Sequence, residues 1–122
     1  NAQVLDAGQR ATQIALDAGV QIGFGTDLMG SLETEQLSGL RLQAEAIGPH
    51  QTLRSATSIN ADLIGRPDLG RIVPGGVADL LLIEGNPLED IAALADPSRP
   101  RSVWQAGTAV GGESHTQTGP TR

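Results

Sequence analysis

The sequence has no cysteine and no tyrosine, and it contains one phenylalanine and one tryptophan among 122 residues. The absence of cysteine excludes disulfides, thiolate metal sites and a cysteine nucleophile. Because aromatic side chains are scarce, any core must be built from Leu, Ile, Val and Ala, which bury less area each. The length fits one ordinary domain, but the core is expected to be thin.

Basic residues are scarce as well, since 8 Lys and Arg stand against 14 Asp and Glu and give a formal net charge of -6. A nucleic-acid partner would require a basic patch that neutralises phosphates, so none is expected. Long apolar runs are also missing. The longest one, over residues 78–83, contains Asp79 and falls far short of the ~20 residues that cross a bilayer. No membrane-crossing segment is therefore expected.

The first residues include no initiator methionine, no basic start and no apolar stretch of the kind found in a secretory signal. Such a start is typical of a segment from inside a longer gene. A removed signal peptide would leave a similar beginning. The residues do not encode a cellular compartment, and the cytoplasm is the expected location.

Hydrophobic periodicity divides the first half of the chain into helices around one strand. Apolar residues recur at three- and four-residue spacing over 4–18, which predicts a helix that Gly19 ends. Residues 20–25 alternate between apolar and polar or glycine positions, the period of a strand. Helical spacing returns over 37–47 and over 49–64, where Asn60 interrupts the apolar side. This order predicts an α/β unit.

The second half changes character after Gly65, because glycine and proline punctuate short segments. Three of these segments, 71–73, 78–83 and 101–106, are predicted to be extended. One segment, 88–94, is predicted to be helical. The tail from residue 111 has too little apolar content to pack and is expected to be disordered.

Asp27 is the residue whose position indicates chemistry. In a regular strand Gly23, Gly25 and Asp27 share one side, which would leave room in front of a carboxylate at the strand's C-terminal end. Catalytic groups of (β/α)₈ barrels lie at such strand ends. A carboxylate there can bind a divalent cation and accept a proton from water, while Thr26 would hold the turn through its hydroxyl. Alone, however, an aspartate after a strand is more often a turn or cap residue.

Three ordered motifs give Asp27 a context: AGVQIGFGTD at 18–27, LRSATSINA at 53–61 and LGRIVPGGVADL at 69–80. Together they resemble the C-terminal third of amidohydrolase-superfamily enzymes. The branch that they resemble most contains imidazolonepropionase-like and Xaa-Pro dipeptidase (prolidase-like) enzymes. GNPLEDI at 85–91 and VWQAG at 103–107 continue the same pattern.

The resemblance implies an α/β fold that forms the C-terminal part of a (β/α)₈ TIM barrel and of a small β-sandwich. Residues 1–65 would supply the last barrel strand and its flanking helices, residues 66–110 the C-terminal β-sandwich strands, and residues 111–122 a disordered tail. The whole protein would hydrolyse C–N bonds of amides, peptides or cyclic amides with a metal-activated water. Asp27 would be both a catalytic residue and a metal ligand.

The same resemblance implies a divalent metal, expected to be zinc, as one or two ions. Its other ligands, an upstream His-x-His, a carboxylated lysine or equivalent bridging group and two further histidines, are not in this chain, so the fragment alone is expected to be inactive. The substrate would be a small or dipeptide-like molecule, and a homo-oligomer of the full-length protein stays open. Two alternatives also stay open, a non-catalytic truncated remnant and a deaminase of the same superfamily.

Other polar residues have simpler explanations. His50 follows a proline at a helix start and is expected to be solvated, and His115 lies in the polar tail without rigid support. Asp79 is expected to hydrogen-bond turn backbone in the β region rather than to act in catalysis. The loop over residues 28–33 would follow the last strand at the active-site face and could help to shape a substrate pocket.

Overall fold

The computed structural model describes residues 2–111, in which helices come first and a small antiparallel sheet follows. His115 and the predicted disordered tail lie outside the described residues, apart from residue 111. The elements are, in chain order, α1 (Ala2–Asp17), a 3₁₀ helix (Gly30–Glu35), α2 (Ser38–Ile47), α3 (Pro49–Arg54), a π segment (Ser55–Ile59), α4 (Asn60–Leu63), β1 (Leu80–Ile83), α5 (Ala92–Ala95), β2 (Arg101–Gln105) and β3 (Thr108–Gly111). None of the helices between residues 2 and 111 is both long and apolar enough to cross a bilayer.

Helix α1 ends where the sequence predicts, at Gly19. This glycine has a φ of +78°, and its amide donates to the Leu16 carbonyl at 2.9 Å while the Val20 amide donates to the Ala15 carbonyl at 3.0 Å. This pair of bonds is the Schellman motif, which glycine favours because it adopts positive φ without a steric penalty. The same pair of bonds closes α4 at Gly65.

The buried core is small, as the composition predicts. α2 packs against α1, α3 and α5. The buried apolar side chains come from α2, α4 and α5: Leu40, Ile47, Ala61, Ala93 and Ala95. Two residues of the predicted apolar stripe of α1 lie outside this core, since Ala11 is exposed and Ile14 is 68% exposed. α1 instead approaches α2 with polar residues, and Gln9 donates to the Glu45 carboxylate at 3.2 Å.

The sheet has the strand order β1-β2-β3, and both pairs are antiparallel. Two of the predicted segments, 78–83 and 101–106, contain β1 and β2. Residues 71–73 form no strand, the helix predicted over 88–94 is confined to Ala92–Ala95, and β3 was not predicted. Ala106 and Gly107, with φ of +48° and +81°, make the two-residue turn between β2 and β3.

The prediction of a strand over residues 20–25 is wrong for the part of the chain that the structure describes. No strand is assigned there, and every strand among residues 2–111 follows Asp79. A strand exists through hydrogen bonds to a neighbouring strand, and the described residues supply no neighbour at this place. The alternating sequence pattern is present, but the hydrogen bonds to a neighbouring strand are absent among the described residues.

The helix predicted over residues 49–64 is present, with Pro49 at its start, but it is not uniform. The π segment separates α3 from α4, and in it hydrogen bonds run from each residue to the fifth along instead of the fourth. Periodicity gives no sign of this change. One extra residue in a helical turn rotates the faces that follow by roughly 100°, which moves Asn60 onto the inner side.

Candidate active site

Asp27 lies at the end of the segment that leads from α1 toward the 3₁₀ helix. It is exposed and has a φ of +53°, one of two positive φ values among non-glycine residues of the described chain. Left-handed backbone is uncommon outside glycine, although aspartate is among the residues that adopt it more readily. Within residues 2–111 the carboxylate takes part in no hydrogen bond and no ion pair, so both oxygens remain available as acceptors.

Asn60 holds the backbone of this segment three residues before Asp27. The Phe24 amide donates to Asn60 Oδ1 at 3.0 Å, and Asn60 Nδ2 donates to the Phe24 carbonyl at 2.8 Å. The side-chain amide therefore pairs with Phe24 through one donor and one acceptor, as a neighbouring strand would. Asn60 was not predicted as a site residue, and the signal that could have identified it was its polarity within an apolar helix face.

Gly23 is where α4 approaches the segment most closely. A Cβ built on this residue would lie 2.4 Å from Asn60 Oδ1 and 2.9 Å from Leu63 Cδ1, closer than real contacts allow. The expectation that Gly23 and Gly25 both border open space is therefore wrong for Gly23, whose near side is filled by α4. It agrees with the structure for Gly25, where a Cβ would meet nothing within 4 Å.

The opposite side of the segment packs on α2 at Gly39. A Cβ there would lie 3.2 Å from Phe24 Cζ and 2.9 Å from Thr26 Cγ2, so the ring and the methyl group occupy the space that glycine leaves. The predicted hydrogen bond from the Thr26 hydroxyl to the turn backbone is absent among the described residues. Thr26 contributes its methyl group instead.

A groove of about 380 Å³ separates α1 from α2 beside this segment. Its walls are largely apolar and include Phe24, Leu28 and Leu42. Gln43 also lines it, and the Nε2 atom of that side chain has no hydrogen-bond partner within the described residues. With Glu35 as its one acidic lining residue, this groove does not have the ligands of a metal site.

The loop after Asp27 presents apolar side chains. Met29 is 76% exposed and Leu32 is 53% exposed, on either side of the start of the 3₁₀ helix. Its C-terminal end is held by the Ser38 hydroxyl, which donates to the Glu35 carboxylate at 3.1 Å. The loop thus places exposed apolar groups close to the candidate carboxylate in sequence.

The remaining candidates behave as simple structural residues. His50 is exposed in the first turn of α3, as expected. Asp79 accepts a hydrogen bond from the Ala106 amide at 2.8 Å, which confirms the predicted contact with turn backbone. No three His, Cys, Asp or Glu side chains among residues 2–111 are grouped closely enough to hold a metal ion. Asp27 is therefore a single carboxylate, without companion ligands in this part of the chain.

Charged contacts strengthen the connection that follows α4. Arg71 donates to the Asp62 carboxylate at 2.6 Å and to the Ser58 carbonyl at 3.3 Å, which ties the 66–71 loop to the helix. In the same loop the hydrogen bond from Arg66 holds the pKa of the Asp68 carboxyl below its usual value. These ion pairs are remote in sequence from Asp27 and support the loop rather than the site.

The sequence and structure of this chain are similar to those of one family of known proteins. The amidohydrolase family matches residues 1–110. Imidazolonepropionase from Deinococcus deserti is 33% identical over 99 residues, which are 78% of this chain and 25% of that protein. Ochratoxinase from Aspergillus niger is 32% identical over 105 residues, which are 84% of this chain and 22% of that protein. The chain spans about a quarter of the length of these relatives.

A solved structure agrees with these relatives. A prolidase complexed with N-methylphosphonate-L-proline superimposes with a TM-score of 0.83 at 40% sequence identity. The superposition covers 87% of this chain and 26% of the prolidase chain. A match over nearly the whole chain, in sequence and in structure, leads to one conclusion: the chain belongs to the amidohydrolase family.

Proposed function

We propose that this chain is the C-terminal part of a metal-dependent hydrolase that cleaves C–N bonds, and that Asp27 is its metal ligand and proton carrier. Residues 1–65 would complete a (β/α)₈ barrel and residues 66–110 a β-sandwich. The observation that carries the proposal is the Asp27 carboxylate, which is exposed, without a partner among the described residues, and at the end of a segment anchored by Asn60.

The residues present fit a divalent cation only in part. Carboxylate oxygen is a suitable ligand for zinc and for harder divalent ions, and the Asp27 oxygens are unused within residues 2–111. A catalytic zinc needs three protein ligands, so the other ligands would have to come from residues outside this chain. When bound, the cation would supply Lewis acidity that lowers the pKa of a water molecule to about 7.

Asp27 would move the proton. As water adds to the amide carbonyl, the carboxylate accepts the proton that the water loses, and it then delivers this proton to the nitrogen of the breaking C–N bond. The products are a carboxylic acid and an amine. An exposed carboxylate with two unused oxygens would be suited both to hold the cation and to carry the proton.

The relatives indicate the class of substrate. A prolidase that binds a proline phosphonate, together with imidazolonepropionase and ochratoxinase, favours a small molecule with an amide, dipeptide or cyclic amide bond. Deamination uses the same proton transfers with ammonia as the leaving group. A substrate panel of Xaa-Pro dipeptides, N-acyl amino acids and amino-substituted heterocycles would separate hydrolysis of amides from deamination.

The decisive experiment replaces Asp27 by Asn in the full-length protein. The variant keeps the shape of the side chain but cannot carry a proton, so kcat should fall by about 10²- to 10⁴-fold or more, with a lower metal content. Asp79→Asn is the matched control, since the Asp79 carboxylate accepts a hydrogen bond from turn backbone, and its kcat should stay within about twofold of wild type. Turnover by Asp27→Asn at more than half the wild-type rate would refute the assignment.

The rival proposal, a non-catalytic remnant, makes a different prediction. The reading frame upstream of residue 1 would then lack His-x-His and the later Lys and His residues, and no member of the substrate panel would be turned over with any divalent metal. A frame that encodes those residues, together with measurable turnover, would exclude the remnant.

A further inference from the structure

We infer that Asn60 is a positioning residue for Asp27, displayed by the π segment so that its side chain holds the backbone leading to the active carboxylate. The inference rests on the proposed function of Asp27. It assigns a role in the reaction to a side chain that would not touch substrate or metal.

The hydrogen bonds of the segment support this role. From residue 21 to residue 28, the two bonds between Phe24 and Asn60 are the only hydrogen bonds that the segment makes with other described residues. The backbone bonds before and after it belong to the end of α1 and to the start of the 3₁₀ helix, with Val20 and Met29 as the last partners on either side. Asn60 is thus the one polar anchor of the described chain between these two points.

The path from Asn60 to Asp27 is short. Two residues separate the anchored Phe24 from Asp27: Thr26 is fixed by packing, and Gly25 has open space around it. Asp27 itself has left-handed backbone, which is uncommon in non-glycine residues although aspartate adopts it more readily than most. Releasing Phe24 would allow the glycine to rotate and the carboxylate to leave its position.

The π segment explains how Asn60 reaches Phe24. In an uninterrupted α-helix the face that buries Thr52 and Ser55 would not include Asn60, because five residues after Ser55 correspond to roughly 140° of rotation. The wider π turn removes about 100° of that angle. Asn60 consequently lies on nearly the same side of the helix as the buried Thr52 and Ser55.

The π segment is itself held by side chains. The Thr57 hydroxyl donates to the Leu53 carbonyl at 2.6 Å, and the Arg71 guanidinium donates to the Ser58 carbonyl at 3.3 Å. On the outside, Gly70 lies so close that a Cβ would approach the Thr57 carbonyl within 2.6 Å. Side chains and a tight loop contact thus stabilise the irregular turn, which presents Asn60 in a fixed direction.

The test uses the full-length protein with its metal and two ways of breaking the contact. Asn60→Asp is nearly isosteric, but the ionised carboxylate cannot donate to the Phe24 carbonyl. Gly23→Ala leaves Asn60 unchanged and displaces its amide, because the new Cβ would meet Oδ1 at 2.4 Å. The control is Asn86→Asp, where an asparagine of the loop after β1 also makes a donor and an acceptor bond, to Glu89 and Leu88.

Two measurements are combined for each variant. The first is kcat per metal-loaded, folded protein, together with KM. Both contact variants should lose about 10- to 100-fold in kcat, with KM changed by less than about threefold. The second is amide hydrogen exchange of the peptide that covers residues 21–28, measured on metal-free protein. This peptide should exchange faster in both contact variants and at the wild-type rate in the control.

The outcomes separate the possible failures. If both contact variants match the control in kcat per loaded site, or if kcat falls without faster exchange of residues 21–28, the positioning role is wrong. A purely structural role would lower the folded fraction or the melting temperature and leave kcat per loaded site unchanged, which also overturns the inference. If Asp27→Asn stays active, the proposed function fails instead, whatever the Asn60 variants do.

Discussion

The Phe24 ring lies against the bare backbone of Gly39, so that a Cβ on Gly39 would be 3.2 Å from Cζ of the ring. The contact joins the segment that carries Asp27 to the first turn of α2. It occupies the face of Phe24 opposite to α4, while Asn60 holds the Phe24 backbone. The segment is therefore fixed on one side by packing and on the other by hydrogen bonds.

Gly39→Ala should lower stability even though alanine is the better helix former. The helix gains about 1 kcal/mol from the substitution, but forcing a methyl group to within 2.9 Å of Thr26 Cγ2 costs about 1–3 kcal/mol. Gly8→Ala in α1 is the matched control, because its Cβ would meet nothing within 4 Å, and it should raise the melting temperature. Thermal unfolding of the two variants in parallel tests this difference, which equal shifts would contradict.

Ala106→Asn should stabilise the turn between β2 and β3. Ala106 and Gly107 both have positive φ, and a two-residue turn of this kind favours an Asn-Gly pair. Replacing an alanine that adopts strained left-handed backbone should raise the free energy of unfolding by about 1 kcal/mol. The hydrogen bond from the backbone amide of residue 106 to Asp79 is retained in this variant.

Asp79→Ala removes that hydrogen bond and should lower the free energy of unfolding by about 1 kcal/mol. Urea unfolding curves would reveal either change.

The Arg66–Asp68 contact should make a small, pH-dependent contribution to stability. The hydrogen bond from Arg66 depresses the pKa of Asp68 in the folded protein, so the contribution is present above the unfolded value of about 3.9 and is lost as pH falls through the folded pKa. The difference in melting temperature between wild type and Asp68→Asn should therefore shrink as pH drops from about 5 to 2. A difference that stays constant over this range would show that the ion pair is not its source.

The 122-residue chain studied alone should self-associate. Large apolar side chains are exposed on several elements, among them Ile14 at 68%, Met29 at 76% and Ile72 at 91%. Exposed apolar patches of this kind mark surfaces that other protein normally covers. Light scattering after size-exclusion chromatography should detect oligomers or aggregates at micromolar concentration, and a monomer with a cooperative melting transition would contradict the expectation.

Much of the helical layout could be predicted because its signals are local. Gly19 and Gly65 end helices through their own positive φ, and Pro49 begins one because its ring suits the first turn. Periodicity near these residues therefore locates the helices to within a few positions. The contact of Asp79 with turn backbone was likewise predicted.

The failures concern properties that depend on distant residues. The alternation over 20–25 is compatible with a strand, but strand formation depends on a neighbour that the same residues cannot supply. The partner of Gly23 is 37 residues away in Asn60, and the partner of Phe24 is Gly39. Nothing in the spacing of apolar residues indicates a π turn. Asn60 could be noticed as an unexpected polar residue, but its role becomes clear only when the turn brings it to Phe24.

The irregular turn at 55–59 also has a consequence for how this sequence can change in evolution. A single-residue deletion there would restore an ordinary α-helix and rotate Asn60 by roughly 100° away from Phe24. The exposed loop that follows Asp27 has no comparable constraint and can accept insertions. Among relatives, insertions and deletions should therefore be common in the loop after Asp27 and rare in the helix that contains residues 55–59. This holds although that helix takes no part in the reaction itself.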